Sequence, residues 1–155
     1  MGTMKKIVST LFCIFVITGC TQQSNQVITT CTDTSNPEFT QELVYITDKT
    51  GSMEGYKAAI GMKFESKKDL DAAVDRAKES EGKYNQYSWI DFSYTAENNI
   101  LTTKIVYDFK SVTPQEVKDA GFTGFIDGDK FSNIINDKEI ENIKLRGAGF
   151  VCVEK

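Results

Sequence analysis

Asp48, Thr50 and Ser52 stand at alternate positions in the stretch TDKTGSM, directly after the apolar run LVYI. Three kinds of chemistry fit those residues. An Asp-Lys-Thr-Gly run can present its carboxylate as a nucleophile for a phosphoryl group. Three side-chain oxygens at a strand end can converge on a hard divalent cation. The third reading is a hairpin connection, in which Gly51 supplies the positive φ that a tight turn demands. The element that follows decides among them, because the first two need a helix there and the third needs a strand.

Other candidate chemistry is sparse. The chain has no histidine, which removes Ser-His-Asp and Cys-His nucleophiles and the usual zinc ligand sets. Its 22 acidic residues leave room for a carboxylate pair of the kind hydrolases use, with no spacing that singles one out. Asp127-Gly128-Asp129 invites a calcium-loop reading. EF-hand spacing, however, would put Phe131 and Lys138 at ligand positions and leave no glycine where the loop turns, so a simple turn is expected. No cofactor motif and no metal site are assigned.

The N-terminus, MGTMKKIVSTLFCIFVITGC, places Lys5 and Lys6 before an uncharged, mostly apolar run from Ile7 to Ile17. That is the layout of a secretory signal peptide. The run spans about eleven residues where a permanent crossing takes roughly twenty. Ile17-Thr18-Gly19-Cys20 then resembles the bacterial lipobox. The resemblance implies cleavage before Cys20, lipidation of its thiol, and an exported protein anchored by lipid to the membrane, at the cell surface or the periplasmic face. Multiple acyl chains make such an anchor durable. Residues 1–19 are thus expected as signal peptide, 20–26 as lipidated cysteine and flexible tether, and 27–155 as a single domain close to the lipid surface.

Loss of residues 1–19 would remove Lys5 and Lys6 and no acid, moving the formal charge from −4 to −6. An acidic surface repels nucleic acid. Of the four cysteines, Cys13 would leave with the leader and Cys20 would carry lipid, so Cys31 and Cys152 remain. In an exported domain they most simply form one disulfide, the alternative being two unrelated buried thiols.

The elements that must position these residues are legible from periodicity. Val27 to Thr32 is β-branched and reads as a first strand, broken by Asn36-Pro37. Phe39 to Thr47 reads as a second. After TDKTGSM the apolar residues Tyr56, Ala58, Ile60, Met62 and Phe64 recur with period two. A helix there would also carry two glycines at about 1 kcal/mol each. A strand, and hence a hairpin around residues 48–51, is expected.

Ser66-Lys67-Lys68-Asp69 is a near capping box that opens a helix of narrow apolar face (Leu70, Ala73, Val74, Ala77), with Gly82 as its stop near Glu81. Tyr87 to Thr95 and Leu101 to Phe109 alternate as a second hairpin across Glu97-Asn98-Asn99. Thr113-Pro114-Gln115-Glu116 caps a short helix that Gly121 ends. Residues 122–131 read as glycine-rich loop, residues from 133 or 137 to 146 as a last helix, and Gly149 to Val153 as a closing strand. Tyr84, Tyr87, Trp89, Tyr94 and Tyr107 gather on or beside the second hairpin, as core or as an exposed surface for glycan or peptide. The sum is an α+β domain: an antiparallel sheet of two hairpins and terminal strands, with helices packed on it.

In order and spacing, the lipobox at Cys20, TTCT at 29–32, LVYITDKTGSM, the helix from Ser66, YSWIDFSYTAENNILTTKIVYDF and the ending GAGFVC resemble the YehR-like family of small bacterial lipoproteins. The resemblance implies the same fold, and a cysteine pair that maps onto Cys31 and Cys152. It brings no catalytic residues. The resemblance to von Willebrand A-type domains rests on Asp48, Thr50 and Ser52 alone, and that to ion-pumping ATPases on Asp-Lys-Thr-Gly alone. The expected function is a noncatalytic, membrane-anchored module that binds an envelope protein or glycan. An envelope hydrolase with a carboxylate pair and a metal-dependent adhesion module are the alternatives.

Overall fold

The structure, a computed structural model, describes residues 25–131 and 150–155. The leader, Cys20 and the expected helix between 133 and 146 lie outside the described residues. The strands are β1 (Gln26–Asn36), β2 (Phe39–Asp48), β3 (Met53–Lys63), β4 (Ile90–Glu97), β5 (Ile100–Asp108), β6 (Ile126–Asp127), β7 (Lys130–Phe131) and β8 (Phe150–Glu154). Helix α1 (Lys67–Tyr84) lies between β3 and β4, and α2 (Pro114–Asp119) follows β5. Six strands form one antiparallel sheet in the order β4-β5-β3-β2-β1-β8, and β6 pairs with β7 as a separate ribbon.

Register decides which face each side chain takes, since neighbours opposite one another point the same way and alternate along each strand. Cys31, Leu43, Ala58 and Ile105 form one cross-sheet row, and Thr29, Tyr45, Tyr56, Tyr107 and Ile90 form the next. This face carries the core and both helices. The opposite face presents Thr30, Glu42, Lys57, Lys104 and Ser93 among scattered aliphatics.

Two apolar clusters cover the inner face. One gathers Cys31, Leu43, Tyr45, Met53, Trp89, Ile90, Tyr107, Phe109 and Val117, and the other joins Ala73 and Ala77 of α1 to Leu101 of β5. Helix α1 starts where its Ser66 cap accepts from the Asp69 N–H at 3.1 Å. It runs through Gly82 to Tyr84 instead of stopping at Glu81. Gly82 faces open space, and the helix ends only where the Asn85 N–H reaches the Glu81 carbonyl at 3.0 Å. The Asn85 side chain also donates to the Phe92 carbonyl at 2.9 Å and accepts from the Phe92 N–H at 2.6 Å. One amide thus satisfies the outer edge of β4 and ties it to the helix.

Several expectations are corrected. Strand β1 extends past Thr32 to Asn36, with a register shift between Asp33 and Asn36, and the Asn36 carboxamide accepts from the Glu38 N–H at 2.9 Å in the turn to β2. Gln26, placed in the tether by composition, is the first residue of β1, and its amide donates to Glu54. Residues 87–89 are a turn, closed by the Ile90 N–H on the Tyr87 carbonyl at 3.0 Å, and β4 begins at Ile90. Residues 122–131 are not a plain loop. They fold as a 3-10 turn and the β6–β7 ribbon because Phe122, Phe125 and Phe131 pack against the core cluster.

Candidate functional site

The Asp48 segment connects β2 to β3. One oxygen of Asp48 accepts from the Thr50 N–H at 2.8 Å, the Thr50 hydroxyl at 2.7 Å and the Ser52 N–H at 2.9 Å. The Asp48 main chain closes the loop by bonds to Ser52 and Gly51, with Gly51 at φ 84°. Three donors on one oxygen leave it little capacity for a cation. The Thr50 hydroxyl, then the Ser52 N–H, hold the Asp48 carboxyl below its ordinary 3.8. The antiparallel sheet also lacks the parallel order that a von Willebrand A-type site requires.

Two outcomes follow for this turn. Magnesium, manganese or calcium at millimolar concentration leaves the melting temperature unchanged apart from screening. A cation-selective rise that vanishes in Asp48→Ala would contradict the turn assignment. Because the Asp48 carboxyl is lowered in the folded state, its contribution is present above pH 3.8 and lost as pH falls through its folded value. Asp48→Asn therefore flattens the acid limb of the stability profile without altering the neutral plateau's shape.

The carboxylate-pair reading has a concrete test in a cleft of about 490 Å³ lined by Gln86, Tyr87, Trp89, Glu116 and Asp119. Glu116 is committed to the cap of α2, accepting from the Thr113 hydroxyl at 2.6 Å and the Thr113 N–H at 2.8 Å. Those two bonds hold its carboxyl below the usual range. Asp119 accepts from the Gln115 amide at 2.7 Å. A general acid needs a raised pKa, and Glu116 is shifted the opposite way. Asp127 to Asp129 forms the turn of the β6–β7 ribbon, with Gly128 at φ 61°. Lys118 donates to the Gly128 carbonyl at 2.6 Å and pairs with Asp129 at 3.6 Å.

The aromatic residues are mostly core. Trp89 and Tyr107 are buried, and Tyr84 and Tyr87 pack against the cluster they belong to. Burial, then the neighbouring Tyr84 and Tyr56, push the Tyr107 phenol up to about 12. Tyr94 belongs to the smaller cluster beneath α1.

Cys31 and Cys152 form a disulfide, with their Cα atoms 4.0 Å apart and directly opposite in the β1–β8 ladder. Ile28 and Lys155 exchange both main-chain hydrogen bonds. By alternation, the cysteines three pairs further on occupy a non-hydrogen-bonded pair, the closer of the two kinds. Cys31 is completely buried.

What periodicity did not reveal is a groove of about 450 Å³ between α1 and the sheet. Its helical wall is Ala73, Arg76, Ala77, Ser80 and Tyr84, and the strands contribute Ile60, Met62, Phe92, Leu101 and Thr103, with Phe64 from the segment leading into α1. Arg76, Ser80 and Tyr84 are spaced four apart and form one row along the helix. Ala73 and Ala77 are buried on Leu101 in the adjacent row. The small side chains at 73, 77 and 80 leave the space above Ile60 and Met62 unfilled. The narrow apolar face of the helix was the sequence signal for it. Grooves of roughly 300–1,000 Å³, mostly apolar with a few polar groups, are how small ligands are held.

Fold and groove together define a single-domain α+β protein, with a six-stranded antiparallel sheet, both described helices on one face, and an apolar groove under its long helix. An NMR structure of a protein from Streptococcus pneumoniae TIGR4 is similar, with a TM-score of 0.50 over 100% of this chain and 98% of that one at 12% identity. At that identity the likeness concerns the fold alone. No family model and no curated protein matches the chain. Among the described residues, no helix is long and apolar enough to cross a membrane.

Proposed function

We propose that the protein is an exported bacterial lipoprotein, anchored through lipidated Cys20, whose domain binds an apolar ligand in the groove under α1 without transforming it. The observation that carries the binding role is the groove itself: an unfilled apolar space beside a core that is otherwise closed by aromatic packing. The anchor rests on the basic, apolar and lipobox order of residues 1–20. Kinship with the YehR-like lipoproteins belongs to the same proposal and rests on the order and spacing of the segments that resemble that family.

Each half has its own test. Cys20→Ser is expected to leave the precursor uncut and unlipidated, and normal processing with membrane retention of that variant removes the anchor. An uncharged, environment-sensitive apolar dye such as Nile red should bind the mature domain. Ser80→Phe, which puts a ring at one of the groove's lining positions, should abolish that binding while the thermal transition is kept. Undiminished dye binding in folded Ser80→Phe protein removes the groove as the site.

A further inference from the structure

The groove is apolar along its length, but its lining holds one ionised side chain, and that charge is positive on a protein that is acidic overall. Arg76 sits in the exposed part of the lining and makes no salt bridge among the described residues. The other polar groups of the wall, on Ser80, Thr103 and Tyr84, are neutral hydroxyls. Resting on the binding role given above, we infer that the groove takes a single-chain anionic amphiphile. Its aliphatic chain lies over Ile60 and Met62, and its acidic head meets the Arg76 guanidinium.

The charge pattern argues for this occupant over its rivals. A neutral hydrocarbon would leave Arg76 without a role in binding, and a cationic amphiphile would face it directly. A guanidinium presents a planar fork of donors that matches a carboxylate or phosphate with two parallel hydrogen bonds. A two-chain lipid would need room for a second tail, whereas the groove holds about 450 Å³ between α1 and strands β3, β5 and β4. Burying each methylene is favourable, so the chain supplies most of the affinity and the head its selectivity.

The test uses the full mature domain, with binding measured calorimetrically for decanoate, decanol and decyltrimethylammonium below micelle-forming concentrations. Decanoate should bind tightest and the cation weakest. Arg76→Glu should weaken decanoate about tenfold, about 1.4 kcal/mol, and reverse the order of decanoate and the cation. Ser80→Phe should abolish all three. If decanoate and decanol bind equally and Arg76→Glu changes neither, the anionic specificity is overturned while the apolar groove stands. If none of the three binds the folded wild-type domain, the inference fails and the binding role fails with it.

Discussion

Replacing Cys31 and Cys152 together by serine is expected to lower the unfolding free energy by about 4 to 5 kcal/mol, the chain-entropy value for a bridge closing a loop of this size. The bridge spans 121 residues in sequence. Strand β8 has five residues and, among the described residues, pairs only with β1. Without the bond, β8 must return across that long loop on its ladder hydrogen bonds and the packing of Phe150 on the core. A serine hydroxyl at position 31 would also be buried in the core cluster. Denaturant unfolding of the double variant, with Cys31→Ala and Cys152→Ala as the apolar control, checks this. A loss under about 1 kcal/mol in both would show that β8 is held by its pairing and that the bond is incidental. Thiol labelling of denatured, unreduced protein should find neither cysteine free.

Trp89→Ala is expected to cost about 3 to 5 kcal/mol, as large-to-small substitutions of core aromatics do. The indole is 6% exposed. Its ring lies 5.3 Å from Phe122 in an edge arrangement, 5.7 Å from Tyr87 and 6.0 Å from Tyr107. Removing it opens a cavity at the joint between the sheet and the segment after β5, where Phe122 packs edge-on to the indole while Phe125 and Phe131 rest on Phe109. Trp89→Phe should cost distinctly less, because a ring still fills part of the space. Amide exchange should place the added loss in residues 109–131 and the Tyr84 end of α1 before it reaches the turns of α1 around Ala73 and Ala77, which belong to the other cluster. Equal loosening of α1 would show that the two clusters act as one core.

Much of the local structure is legible in the chain. Period two in Tyr56, Ala58, Ile60 and Met62 marks β3, and Gly51 and the Asn98-Asn99 pair, at φ 53° and 64°, take the positive φ that tight connections demand. The Thr113 box starts α2 with both reciprocal bonds made. These signals are short-ranged, since a cap or a turn is satisfied by residues within four positions. Alternation alone does not place Trp89: the backbone turns at 87–89, and the indole enters the aromatic cluster, the core alternative among those the sequence offered.

The sequence by itself determined the α+β class and the places of the six sheet strands and both described helices in chain order, though not the bounds of β1, β4 and α1. Tertiary structure alone decided the sheet order, in which β5 inserts beside β3 while β4 takes the edge, and the meeting of β8 with β1 that brings Cys31 opposite Cys152. It also decided the groove. Propensity and periodicity record how each residue sits relative to its chain neighbours. Whether the alanines of α1 close on the sheet or stand off from it depends on strands brought together from distant parts of the chain, and on the side chains they happen to raise toward the helix.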